Sequence, residues 1–518
     1  ATHALRKDLL TYQRNFFING LKDAARSSIK AYVFGSPTDE ARNYHFLDLL
    51  LRHQIQIHDL AKPISHSGTL FKPGEAYIAP VNQPQYRLLT ALFERRTTFQ
   101  DSLFYDVSAW TMPLAFDLPF AELKSSPEDL IGQQIKTVSF PKGQVIGPSQ
   151  PYAYAFNWTG YYAPRALDRL LRNGVIAKVA TRPFKAAGQA FDFGAILIPI
   201  GLQQEIASKI DRIVQTIVQE DGITVHALST GLSTQGIDLG SPSFAPLSRP
   251  EILLMVGNGV SAYDAGEIWH QLDRRYDISV TLVETDLIDR IDLDVYTTII
   301  IPNGLYSTVD PHSPNAMKRW VKNETRDALD NTKVDALAHW VGKGGTLIAL
   351  GDAARWAAST KLVAAKLVAA KLVPARDPIE TSQRAYADVT ANRGAQIIGG
   401  AIFQVHLDPT HPLCYGYKGP TLGVFHRGTA FFEPVRSPYA TPLRYTSTPL
   451  LAGYISKSNL NRLKGSASTL ISNLGAGRII LFMDNPNFRA IWYGTNKLFA
   501  NALFFGPTIS ITSIRGEE

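Results

Sequence analysis

Short apolar runs, glycine turns and helical stretches alternate along this chain. The alternation is clearest near the C-terminus, where Gly475-Ala-Gly477 leads into the apolar run 478–483, the polar loop Asp484-Asn-Pro-Asn-Phe-Arg489 and an amphipathic helix over 492–505. That order closes an open α/β domain, and such domains place their sites in the loops beyond the carboxyl ends of their strands. The loop holds no recognisable catalytic set.

The same grammar repeats upstream. After a helix over 5–28, strand 31–34, helix 40–53 and strand 55–60 make a βαβ unit, with Asp39 or Thr38 placed to cap the helix. Strand 76–79 and helix 85–95 follow, and the Pro and Gly residues between Lys136 and Pro151 mark a boundary. A second unit reads strand 152–158, helix 164–173, strands 175–180 and 195–199, helix 203–219 and strand 223–228. The Gly/Ser/Pro tract 231–250 is expected to be a linker. A third unit alternates strands 252–256, 280–283, 297–301 and 346–350 with helices 262–274 and 334–341, which predicts a doubly wound parallel sheet. A β-rich stretch begins near Ala401. The expected organisation is a helical lead-in over 1–30, α/β domains over 31–148 and 149–248, and a last domain over 249–518.

At 518 residues the chain exceeds one hydrophobic core, and roughly three domains fit its length. A 45% hydrophobic and 19% charged composition is that of a globular protein. The net charge of +7 is spread over single Lys and Arg residues without a basic run, so no nucleic-acid partner is expected. Cys414, the one cysteine, excludes an internal disulfide and a cysteine-based zinc cluster. No apolar run reaches the ~20 residues of a spanning helix. A start at Ala1, within a helix and without Met, is expected of a fragment or a processed chain. The pentads from Lys361, Lys366 and Lys371 read as a slipped duplication lengthening a helix, their lysines scattered by a period of five.

These patterns bear on several chemistries. Gly257-Asn-Gly259-Val-Ser-Ala262 lies between a strand and a helix, and Glu284 ends the next strand, so a dinucleotide could rest its pyrophosphate on the glycines and a ribose on Glu284. Asp264, in the first helical turn, opposes a phosphate there. Gly342-Lys-Gly-Gly-Thr346 follows a helix and precedes a strand, the reverse of a phosphate loop, and no Gly-x-Ser-x-Gly elbow occurs. None of the twelve histidines opens a His-x-x-Glu or His-Glu-x-x-His motif. The aromatic alternation Tyr152, Tyr154, Phe156 and Trp158, followed by Tyr161 and Tyr162, could form a sugar or peptide platform, and its period of two more simply makes one buried strand face.

Four tracts, Lys30-Ala-Tyr-Val-Phe-Gly35, Asp101-Ser-Leu-Phe-Tyr-Asp-Val-Ser-Ala-Trp-Thr-Met-Pro-Leu-Ala-Phe116, Gly259-Val-Ser-Ala-Tyr-Asp-Ala-Gly-Glu-Ile-Trp-His270 and Asp484-Asn-Pro-Asn-Phe-Arg489, resemble the long bacterial zinc carboxypeptidases of the carboxypeptidase A-like class. The resemblance spans nearly the whole chain and places it downstream of the zinc catalytic domain. It implies about three Rossmann-like or flavodoxin-like α/β units, the last similar to a class I glutamine amidotransferase domain with a β-rich insertion. It also implies a secreted or periplasmic location, an upstream peptidase domain as partner, and a peptide or cell-envelope ligand. Zinc is expected in that absent catalytic domain and no cofactor in this chain, because the family's zinc ligands have no matching positions here. The amidotransferase pattern also lacks its nucleophile: the turn after strand 346–350 reads Gly351-Asp352-Ala-Ala-Arg355, and Cys414 lies elsewhere. A ligand site in the last domain is expected at Asn258, Asn303, Asp352 and Arg355, near the strand ends.

Overall fold

The computed structural model describes residues 2–100, 104, 106–305, 329–363, 373–374, 385–386, 397–428, 430–432 and 439–510. The chain divides into two compact units, residues 1–96 with 109–141, and residues 97–108 with 142–518. Both are mixed α/β. Among the described residues no helix is long and apolar enough to cross a membrane.

In the first unit, the helix Thr2–Arg26 buries only Gly20 and Ala24. Its sheet runs Phe120–Leu123, Ala31–Phe34, Tyr77–Pro80, Ile57–Leu60, Ile131–Ile135, with every pairing antiparallel. The βαβ expectation is therefore met in a split form. Ala31–Phe34 and Ile57–Leu60 run the same way, joined by the helix Glu40–Arg52, whose Asp39 cap accepts from the Arg42 N–H at 3.2 Å. Tyr77–Pro80 slots between them in the opposite direction. The reversal comes from the hairpin Ile64–His66/Thr69–Phe71, turned at Ser67 and Gly68, both at positive φ.

The same topology recurs in the second unit. Strands Val225–Leu228, Ala153–Phe156, Ile196–Pro199, Lys178–Ala180 and Phe244–Pro246 form an antiparallel sheet in the corresponding order, with Val145–Ile146 added at one edge. A hairpin turned at Ala187 and Gly188, again at positive φ, takes the place of the first. One glutamine does the same work in each copy. Gln83 accepts from the Gln56 N–H at 2.7 Å and donates to the carbonyls of Gln56 and Pro80, while Gln203 accepts from the Ile176 N–H at 2.8 Å and donates to Ile176 and Pro199. The tract 231–250, expected as a linker, supplies the strands Gln235–Gly236 and Phe244–Pro246 of this copy, because its backbone groups complete two sheets. Of the aromatic alternation, Tyr154, Phe156 and Trp158 are buried and Tyr152 is exposed.

The rest of the second unit is built on a nine-stranded sheet. Five strands are parallel, in the order Thr281–Glu284, Ile252–Val256, Thr298–Ile301, Thr346–Leu350, Gly477–Phe482. Beyond them the β-rich stretch adds the antiparallel strands Ala467–Leu474, Leu443–Ala452, Ile398–Leu407 and Thr421–Gly428. Central strands reading Ile-Leu-Leu-Met-Val and Thr-Leu-Ile-Ala-Leu are buried along nearly their whole length because both sheet faces are covered. The helix expected over 262–274 is α-helical at Ala262–Trp269 and widens to a π-helical turn at His270–Arg275. Of the pentad repeat, 361–363 are turn residues with Leu362 and Val363 buried, and the rest of its side chains lie outside the described residues.

The closing helix, Asn496–Phe505, departs from its amphipathic reading: every residue in it is buried. Its polar side chains face the repeat at 153–246 and the turn Pro412–Cys414. The Lys497 ammonium donates to the carbonyls of Trp158, Thr159 and Gly160, and Asn501 accepts from the Trp158 indole while donating to Leu413 and Tyr415. Burial of these groups is tolerated because they are hydrogen-bonded.

Candidate functional site

The carboxyl ends of Thr298–Ile301, Thr346–Leu350 and Gly477–Phe482 open into a cleft of about 750 Å³ within the second unit. Its floor is the turn after Thr346–Leu350. Gly351 takes φ 57° and ψ −123°, a conformation that disfavours side chains, and a Cβ there would meet Asn303 Oδ1 at 2.6 Å. Asn303 Oδ1 instead accepts from the Asp352 N–H at 2.9 Å and holds the turn. The apex of this sharp strand-to-helix bend, Gly351, carries no side chain.

One wall is acidic. Ser261 caps the helix Ala262–Trp269, and its hydroxyl donates to Asp264 Oδ2 at 2.5 Å. Asp264 and Glu267, three residues apart, share one helix face. The Asn485 amide donates to both, at 3.1 Å to Asp264 Oδ1 and 2.8 Å to Glu267 Oε2, and the Arg489 N–H donates to Glu267 Oε1 at 2.7 Å. Burial raises the Asp264 pKa, and burial followed by repulsion from Asp264 pushes Glu267 up to about 7. Arg489 is fixed in a two-pronged pair with Asp106, at 2.6 and 2.9 Å, which holds the Asp106 carboxyl below its ordinary range.

The opposite wall is Phe425, His426, Arg427 and Gly428 of the edge strand, with Phe425 stacked on Phe488 at 3.8 Å. His426 is 1% exposed. Its Nδ1–H donates to Asp484 Oδ1 at 3.0 Å, and Asp484 also accepts from the hydroxyls of Tyr445, at 2.5 Å, and Ser468. Among the described residues, Nε2 of His426 has no hydrogen-bond partner. Tyr263, 88% exposed, stands at the lip.

Of the residues expected from sequence, Asn303 and Asp352 line this cleft and Asn258 and Arg355 do not. Asn258 offers its carbonyl to the Thr285 hydroxyl at 2.9 Å, and Arg355 lies 3.9 Å from Asp352. Gly257 and Gly259 are at positive φ, and Glu284 packs against Gly257, where a Cβ would stand 3.4 Å from its Cγ. The Ser261 cap and the Asp264 carboxyl occupy the helix start where a pyrophosphate would rest. Sequence reasoning missed Glu267, His426 and Asn485 as a group; Glu267 and Asn485 stand in tracts quoted for family likeness, and His426 had no local signal. Among the described residues, no three or more His, Cys, Asp and Glu side chains gather in a metal-holding arrangement.

No protein-family model matches this chain, and no curated protein is significantly similar to it. Solved structures similar to it include PurLQS from Thermotoga maritima, at 15% identity and TM-score 0.31, covering 49% of this chain and 98% of that one. A glutamine amidotransferase from Thermotoga maritima is similar at 10% identity and TM-score 0.27, over 46% of this chain and 76% of that one. A putative ThuA-like protein from Parabacteroides merdae is similar at 12% identity and TM-score 0.29, over 51% and 92%. None of these likenesses carries an activity to this chain.

Proposed function

We propose that this chain is the non-catalytic accessory region of a zinc carboxypeptidase-like protein, and that its cleft holds a ligand beside the parent's peptidase chemistry. The observation that supports it is the elbow at Gly351: a polar cleft at the strand ends, where α/β domains bind ligands, is built around a residue with no side chain. A site of that form binds and orients; it has no nucleophile at the bend. The zinc, and the hydrolysis of C-terminal peptide bonds, belong in this reading to the upstream domain, and a secreted or periplasmic location goes with it. The support for that parentage is the resemblance of the four sequence tracts.

The test is the encoding gene. A zinc-peptidase domain upstream of Ala1 is the expected finding, and its absence would overturn the parentage. For the cleft, incubation with glutamine is expected to release no ammonia above the buffer rate, and measurable glutaminase activity would refute the non-catalytic reading. Dinucleotide binding through Gly257, Gly259 and Glu284 is the rival, and the filled helix start counts against it; saturable binding of NADH lost on Glu284→Ala would revive it.

A further inference from the structure

The cleft is lined by three carboxylates, Asp264, Glu267 and Asp352, and two guanidiniums, Arg427 and Arg489. Asp264 accepts from the side chains of Ser261, Asn485 and Asn303, Glu267 accepts from the Asn485 amide and the Arg489 N–H, and a carboxylate can accept about four hydrogen bonds in all. Both groups are therefore oriented but not saturated. Behind the wall that carries Phe425 to Gly428, the His426 ring is held against Asp484 and is sealed from the cleft, so it stiffens that wall and does not meet a ligand.

Two further features narrow the ligand. Tyr263 holds an aromatic ring almost fully in solvent at the lip, beside the carboxylates. A ring presented in this way suits a ligand with a flat C–H face and a polar rim. The acidic wall disfavours a phosphate or a carboxylate. It is also a poor cation trap, because Glu267 resists ionisation near neutral pH and Arg427 acts on Asp264 from across the cleft. A carboxyl group close to its titration point both accepts and donates hydrogen bonds, as a hydroxyl does.

We propose that this cleft binds a neutral glycan, with sugar hydroxyls donating to Asp264 and Glu267 and a pyranose face stacked on Tyr263. The assignment rests on the reading of the cleft as a ligand site and names its ligand. The volume, about 750 Å³, lies within the range of small-ligand sites.

Saturation-transfer NMR on the whole chain tests it, with cellobiose, maltose and chitobiose as probes and tri-lysine as a cationic comparison. Transfer to the ring protons of at least one disaccharide is expected, falling at least fivefold in Tyr263→Ala, retained in Tyr263→Trp, and falling similarly in Glu267→Ala. Tyr263 is exposed, so its variants report on binding without disturbing the fold. No transfer to any of the three sugars, or transfer unchanged in Tyr263→Ala, would overturn the glycan assignment. Tri-lysine binding that is lost in Glu267→Gln would overturn it too, while leaving the cleft as a ligand site; silence from all four probes would count against both.

Discussion

Glu267 carries an acid–base consequence that can be measured without knowing the ligand. Its pKa stands at about 7 against an ordinary 4.5, so the folded protein holds the proton more tightly than the unfolded chain does. Stability from this group is full below about pH 4.5 and falls as pH rises to about 7. The groups facing it are Asp264 on its own helix and Asn485 and Arg489 on the loop, with Asp106 anchoring Arg489. Glu267→Gln is therefore expected to match the wild type near pH 4 and to exceed it at pH 8 by up to roughly 3 kcal/mol. Thermal melts of both proteins at the two pH values check this. At Asp484 the sign reverses: Asp484→Ala leaves the donors of His426, Tyr445 and Ser468 without their acceptor and is expected to cost about 3 kcal/mol or more, whereas Tyr445→Phe costs about 1–2. Urea titrations that gave the two variants equal midpoints would contradict the network. Neither group was legible as a site in the sequence. Asp484 gathers partners from positions 426, 445 and 468, on three strands whose register no local motif encodes, and Asp106 meets Arg489 from the far side of the chain.

At the scale of elements, the parallel strands were legible because a run such as Ile252–Val256 is apolar on both faces and ends in glycine. The direction of the intervening strands was not. A βαβ spacing of strand, helix and strand is the same whether the two strands are neighbours or have a third between them, and only the Ser67-Gly68 and Ala187-Gly188 turns reveal the insertion. Recurrence of those turns, with Gln83 and Gln203 at matching corners, was the available signal of repetition. The bend at Gly351 makes a prediction of its own. Gly351→Ala must place a Cβ in a backbone region that disfavours side chains and against Asn303 Oδ1, and is expected to lower stability by about 1–3 kcal/mol. Adding Asn303→Ala removes the contact but not the backbone strain, so the double variant should recover only part of the loss; full recovery would show that the backbone is relaxed.

Across the second unit, the buried Lys497 ammonium is one of the polar links between the repeat at 153–246 and the closing helix, beside the Trp158–Asn501 and Tyr161–Asn496 hydrogen bonds. Lys497→Met retains much of the volume and removes the hydrogen bonds to Trp158, Thr159 and Gly160. Those carbonyls lose their donor, so a cost of about 2–4 kcal/mol is expected, expressed as uncoupling. Calorimetry should resolve two transitions where the wild type gives one for this unit; a single transition at an unchanged temperature would rule out the role.

The turn beside this helix has a practical consequence. Cys414 is fully buried and burial pushes its thiol well above the ordinary range, so the only native sulfhydryl is inert to alkylating dyes while the fold is intact. A cysteine introduced on the rim of the cleft, away from Tyr263, would thus be a unique attachment point, and a fluorophore there could report occupancy in a chain whose native residues are otherwise left untouched.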